Sequence, residues 1–289
     1  MKNPKKHDAL MKWLIASFTE EFFAHYFPKR SIGEYTFIDK EFISKYEALK
    51  ESLKDDLFLV MEVEIDKVFH DIVIQIENMS KRVDVSSRIF EYFCYAWLLR
   101  QRPVWSIVVY TDDAVWRKDI PDTFWYGFSD KMEKQHCHFD VIKVKSQKSS
   151  ELVQKHSLMC KLLALKADDR GIDREYLVRE IYKAVARMEA LLDNDKKLLI
   201  EQWVSAYKQL PEEIVENIKK EVKMSFTATT ISEHYINEGM LKGKVELLQS
   251  LFHKGMLTKE QFKEMLESIK MQAGNIEINS LSEKKNKQV

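Results

Sequence analysis

Two acidic residues stand at the ends of neighbouring apolar–polar alternations. Asp56 precedes LFLVMEVEI (residues 57–65), and Glu77 falls near the end of IVIQIENMSK (residues 72–81), just before the alternation breaks into Asn, Met, Ser and Lys. An antiparallel pairing of the two runs sets the start of the first beside the end of the second. Carboxylates 21 positions apart in sequence then come into reach of one metal ion. Magnesium, a hard cation, takes oxygen ligands of this kind and keeps several waters. Bound there, it would activate water and stabilise charge on a phosphodiester oxygen. Acidic residues at strand ends are also often simply solvated, and spacing alone does not separate the two readings. The HCH at 136–138 puts two histidines on one strand face without a companion pair of zinc ligands nearby.

Basic side chains cluster in SKR (80–82), RQR (100–102) and IKVKSQK (142–148). Lining the carboxylate side, they would form the positive track that phosphate binding requires; scattered solvated charge is the alternative. The whole chain carries 46 basic and 46 acidic residues, so its net charge says nothing of a nucleic-acid partner. No helix-turn-helix or zinc-finger signature points to sequence-specific reading. Three widely spaced cysteines, Cys94, Cys137 and Cys160, without a secretory signal, read as reduced thiols in a cytoplasm. No run approaches the ~18 apolar residues of a membrane span.

The elements that must position these residues follow from periodicity. Residues 8–27 place Leu10, Trp13, Leu14, Phe18, Phe22 and Tyr26 at helical spacing before Pro28, which predicts one helix. TFIDKEFI (36–43) is a candidate first strand. Residues 57–65 alternate with period two, and a turn through Asp66 and Lys67 leads to a partner strand in which Ile72, Ile74 and Ile76 share one face, Val73, Gln75 and Glu77 the other. Residues 84–101 form a helix, VWSIVVY (104–110) a strand buried on both faces, and HFDVIKVK (138–145) a candidate edge strand. From about residue 150 every periodic segment is helical: 150–167, 173–192, 196–210, 211–226 and beyond, with a disordered tail expected after 272.

The series HDALMKWL, TFIDKEF, DDLFLVMEV, IQIENMS, RIFEYFCYAWLLRQRPVWSIVVYTD and TTISEHYINEG resembles, in order and spacing, the recombination-promoting nuclease (Rpn) family, which includes YhgA-like transposases, within the PD-(D/E)XK nuclease superfamily. The similarity is closest from His7 to about Trp116 and extends to about Gly243. It implies an α/β fold: a restriction-endonuclease-like core, with a mixed sheet flanked by helices, over 1–149, then a helical C-terminal region over 150–272. It implies metal-dependent hydrolysis of DNA, with Mg2+ or Mn2+ held by Asp56, Glu77 and Glu41. The family pattern near Glu77 looks like I-H-I-E-x-Q, with Lys at the last position in the wider superfamily. Here the His position is Gln75 and the last position is Met79. A thioether cannot orient water or stabilise a phosphorane, so Gln75 or Lys81, on the same face if the strand continues, is the candidate polar helper. Arg88 and Tyr92, four apart on one helix face, match an R-M-x-x-Y-like motif and would brace the carboxylates or contact a phosphate. The partners implied are DNA and a further copy of the chain through the C-terminal helices. The alternative is a catalytically inactive nuclease fold serving as a binding or assembly module.

Overall fold

The computed structural model describes residues 4–38, 57–114, 116, 118–126, 135–223, 244–245, 247–249, 251–252, 258, 261–263 and 265–267. Two compact units are distinguished, Met1–Leu192 with Leu199–Met224, and Asp193–Leu198 with Ser225–Val289. All the described strands lie in the first.

The expected N-terminal helix is two helices, α1 (Pro4–Ser17) and α2 (Thr19–Tyr26). The break falls at Phe18, whose φ of −131° and ψ of 42° leave the helical region. Thr19 marks it: its hydroxyl donates back to Ile15 O at 3.0 Å and Ala16 O at 3.2 Å, a bond that bends helices. The first strand, β1 (Ile32–Phe37), begins upstream of the TFIDKEFI segment, of which residues 39–43 lie outside the described residues. β2 (Leu57–Ile65) and β3 (Val68–Met79) follow the alternation. They are joined at Asp66 and Lys67, with φ of 52° and 65°, the left-handed pair that a tight hairpin turn requires.

The helix α3 (Ser86–Arg100) starts where Ser86 N donates to Asp84 Oδ1 at 2.9 Å. It ends at Gln101, which adopts the left-handed conformation two residues before Pro103. It crosses from β3 to the parallel strand β4 (Val104–Tyr110), as a parallel connection demands. A short hairpin, β5 (Thr123–Tyr126) and β6 (Gln135–His138), was not legible in the sequence. The expected edge strand is β7 (Asp140–Lys143), parallel to β4. The main sheet is therefore mixed and five-stranded, in the order β1-β2-β3-β4-β7.

β3 is central and covered on both faces, so every residue from Ile72 to Asn78 is buried. On one face Ile72, Ile74 and Ile76, with Leu59 and Met61, meet α1 and α2; Trp105, the partner of Ile74, stacks edge-on against Phe23 and Phe27. On the other face α3 closes two clusters, Phe58, Val73, Tyr92 and Ala96, and Val85, Ile89, Val108 and Tyr110 with Ile120 and Phe139. The molecule is thus α/β, with helices on both faces of the sheet.

Beyond β7 come α4 (Ser149–Leu152), α5 (Leu158–Leu163), α6 (Arg174–Met188), α7 (Asn194–Tyr207) and α8 (Glu212–Glu221). The helical stripe read over 150–167 is the two short helices α4 and α5. Ser157 caps α5, accepting from Cys160 N at 3.1 Å, and its hydroxyl donates to Glu21 of α2. The buried Trp203 donates from Nε1 to Leu162 O at 2.7 Å. His7 of α1 bonds the Tyr207 hydroxyl at 2.9 Å. The three cysteines are free thiols. Among the described residues no helix is long and apolar enough to cross a membrane.

Candidate active site

Glu77 lies two residues before the end of β3, on the face covered by α3, and is 4% exposed. Burial of a carboxylate demands a compensating charge or hydrogen bonds. α3 supplies both through Arg88, whose Nη2 donates to Glu77 Oε1. The same Nη2 lies 3.1 Å from the sulfur of Met79. Residues 77 and 79 share a strand face, so one guanidinium from the first turn of α3 spans the carboxylate and the thioether. The Arg88 side chain remains 42% exposed, so part of the cation faces solvent.

Tyr110 pairs with Met79 across β3 and β4 and donates from its hydroxyl to Val83 O at 2.7 Å. Its phenol is pushed up to about 12, first by burial and then by the carboxylates of Asp84, Glu77 and Asp112, against the opposing charge of Arg88. It therefore stays a neutral donor at ordinary pH.

The other anticipated residues fall in different places. Gln75 shares the face of Glu77 but is 0% exposed and accepts from Ser106 Oγ of β4 at 2.9 Å. It braces the sheet interior and offers no polar group to solvent. Lys81 lies beyond the end of β3 and is exposed, so the strand face does not carry it next to Glu77. It opens instead onto a separate cleft of about 160 Å³ with His7, Ser80, Thr111, Asp113 and Lys166. Tyr92 is 1% exposed, within the apolar cluster between α3 and the sheet. Asp56 and Glu41 lie outside the described residues; β2 is described from Leu57, whose partner is Ile76, the neighbour of Glu77.

The basic segments are largely engaged in pairs. Arg102 binds Asp71, Lys143 binds Asp112, Lys145 lies 3.4 Å from Asp169 and Lys148 3.3 Å from Glu151. Arg82 donates to Lys118 O. A continuous track of unpaired cations beside Glu77 does not form among these residues.

Sequence reasoning missed the second polar layer at this end of the sheet. On the opposite face of β3, Asn78 donates to Asp8 Oδ1 at 2.6 Å, and Asp8 pairs with Lys12. At the end of β4, Asp112 takes Lys143 into an ion pair in which both side chains are about nine-tenths buried. Burial lowers the Lys143 amine, while its bond to Asp112 opposes that shift. The signal was available in TDD, which follows a strand buried from Ser106 onward.

As to a metal, Glu77 is a hard oxygen donor of the type magnesium takes. Among the described residues no three His, Cys, Asp or Glu side chains are grouped as a metal site. Glu77 fits such a role as one oxygen donor; Asp56 and Glu41, the other ligands that the resemblance implies, lie outside the described residues. No protein-family model matches the chain, and no curated protein and no solved structure matches it.

Proposed function

We propose that the chain is a nuclease-fold protein of the Rpn kind, with a PD-(D/E)XK core followed by a helical region, and that it hydrolyses DNA phosphodiesters at Glu77. The observation that carries this reading is the contact of Arg88 with both Glu77 and Met79. A guanidinium stands against the residue that replaces the amine or amide of the family pattern, and so returns a cation to that place from α3. The element order helix, three strands, helix, strand supports the same fold.

In this reading Asp56, Glu77 and Glu41 would hold Mg2+ or Mn2+. The metal, when bound, supplies a water of lowered pKa and charge to offset the phosphoryl oxygens. Arg88 holds the Glu77 carboxylate in one orientation, and its solvent-facing part offers N–H donors in the planar fork that suits a phosphate oxygen. Met79 closes the apolar side of the contact and donates nothing. Tyr110, neutral and buried, fixes the loop at Val83 that leads into α3 and so sets where Arg88 begins.

A second reading, an inactive nuclease fold acting as a binding or assembly module, is favoured by one observation. Arg88 already neutralises Glu77, as a purely structural ion pair would. Incubation of the protein with supercoiled plasmid and magnesium or manganese, beside Asp56→Ala, separates the two. Nicking by the parent protein alone supports hydrolysis; equal nicking by both, or none by either, leaves the module.

A further inference from the structure

The row of residues containing Met79 continues across the sheet. Met79 pairs with Tyr110, and Tyr110 with Lys143 of β7. In-register neighbours share a face, so Lys143 stands on the same side as Glu77 and Met79, two strands from Met79 at about 10 Å. Trp116 lies on the same side: its ring meets Tyr110 edge-on at 4.9 Å, with Lys143 Nζ 4.6 Å from its centroid, and its Nε1 donates to Asp112 Oδ1 at 3.3 Å.

Beside this row opens a cavity of about 520 Å³, within the range of small-ligand sites. Trp116, Ile120 and Val141 give it apolar walls, while Lys143, Lys145 and Arg170 are matched by Asp119, Asp122 and Asp168. The cations are already paired, Lys143 with Asp112, Lys145 with Asp169 and Arg170 with Asp168. A phosphate wants donors alone and would meet carboxylates here. A nucleobase has a flat apolar face and an edge that presents both donors and acceptors, which matches a flat apolar wall with amines and carboxylates around it.

We propose that this cavity takes one unpaired nucleobase of the strand whose phosphodiester lies at Glu77 and Arg88, which makes the preferred substrate single-stranded or locally unpaired. The inference rests on the phosphodiester reading above. A base within a duplex is stacked and paired, and must leave the stack before it can enter such a pocket.

The test is anisotropy of a fluorescein-labelled mixed-sequence oligodeoxynucleotide, single-stranded and as its duplex, on the full chain with calcium in place of magnesium. The single strand should bind about tenfold tighter or more. Trp116→Ala should weaken that binding on the order of tenfold, the effect of losing one base–aromatic contact. Val141→Phe, which fills the cavity without removing the indole, should do the same, with urea midpoints showing both variants folded. Equal affinity for single strand and duplex, or folded variants that bind like the parent, overturns the proposal. Selective binding that both variants lose, with plasmid left uncut under magnesium, keeps the base pocket and removes only the hydrolytic reading.

Discussion

Arg88 is the residue on which chemistry and stability meet. Its guanidinium is the charge partner of a carboxylate that is 4% exposed, and removal of one member of such a pair leaves the other buried without compensation. Arg88→Ala should cost about 1–3 kcal/mol in urea denaturation, toward the lower end because the guanidinium is partly solvated. In the hydrolytic reading the same substitution should slow nicking about 10²-fold, the usual loss on removing one preorganised donor. Arg88→Lys, which keeps the charge but loses the fork, should fall between. A stability loss with no change in nicking rate would mark the pair as structural only. Gln75 teaches the converse. The sequence puts it on the face of Glu77, correctly, but period two does not say which stretch of a face a helix covers. Its partner Ser106 is 31 positions away, and nothing local in the sequence announces the pairing.

At the scale of elements, the β2–β3 hairpin is the best-specified part of the core. Lys67 holds a φ of 65°, a region that suits Asn or Gly in a two-residue turn. Lys67→Gly should therefore raise the unfolding free energy by about 1 kcal/mol, the cost of a left-handed residue with a Cβ, which reads as a higher urea midpoint. A lower midpoint would mean that the Lys67 side chain makes a contact worth more than the strain. The hairpin and α3 were legible because each has a long, clean period, and β4 because its apolar run is nearly unbroken. The break at Phe18 was not, since α1 and α2 present their apolar residues to the same sheet face and the stripe runs through without Gly or Pro. β5 and β6 are four residues each, too short for a period to register. The contact of Arg88 with Met79 was hidden for a related reason: it depends on the rotational setting of α3 against the sheet, which Asp84, Val83 and Tyr110 determine together.

For the whole molecule, the strand-bearing unit holds four tyrosines, Tyr110, Tyr182 and Tyr207 buried and Tyr26 half-buried, that titrate above the ordinary phenol value. Tyr110 is pushed up to about 12 and Tyr26, Tyr182 and Tyr207 are raised further, burial being the first cause in each. In the unfolded chain these phenols ionise near pH 10. Between that pH and their folded values the native state keeps protons that the unfolded state has lost, so unfolding becomes easier as pH rises. The contribution is complete below about pH 10 and declines as pH climbs toward 12 and beyond. Urea midpoints should hold steady from about pH 8 to 9.5 and drop above about 10, with the last part of the phenolate absorbance appearing only together with the loss of structure. Phenolate that develops fully while the fold persists would contradict the burial of these rings. The helices after β7 share in this, since Tyr182 and Tyr207 belong to them and Tyr207 bonds His7 of α1.

The most direct measurement of the central claim is the conversion of supercoiled plasmid to open circle by the parent chain and by Glu77→Gln, in magnesium, at matched folded concentrations. The carboxamide keeps the shape at position 77 and removes the charge that binds Arg88 and that, in the hydrolytic reading, would bind a metal. Nicking by the parent and none by the variant is the expected outcome; equal rates, or no nicking by either, would contradict hydrolysis at Glu77.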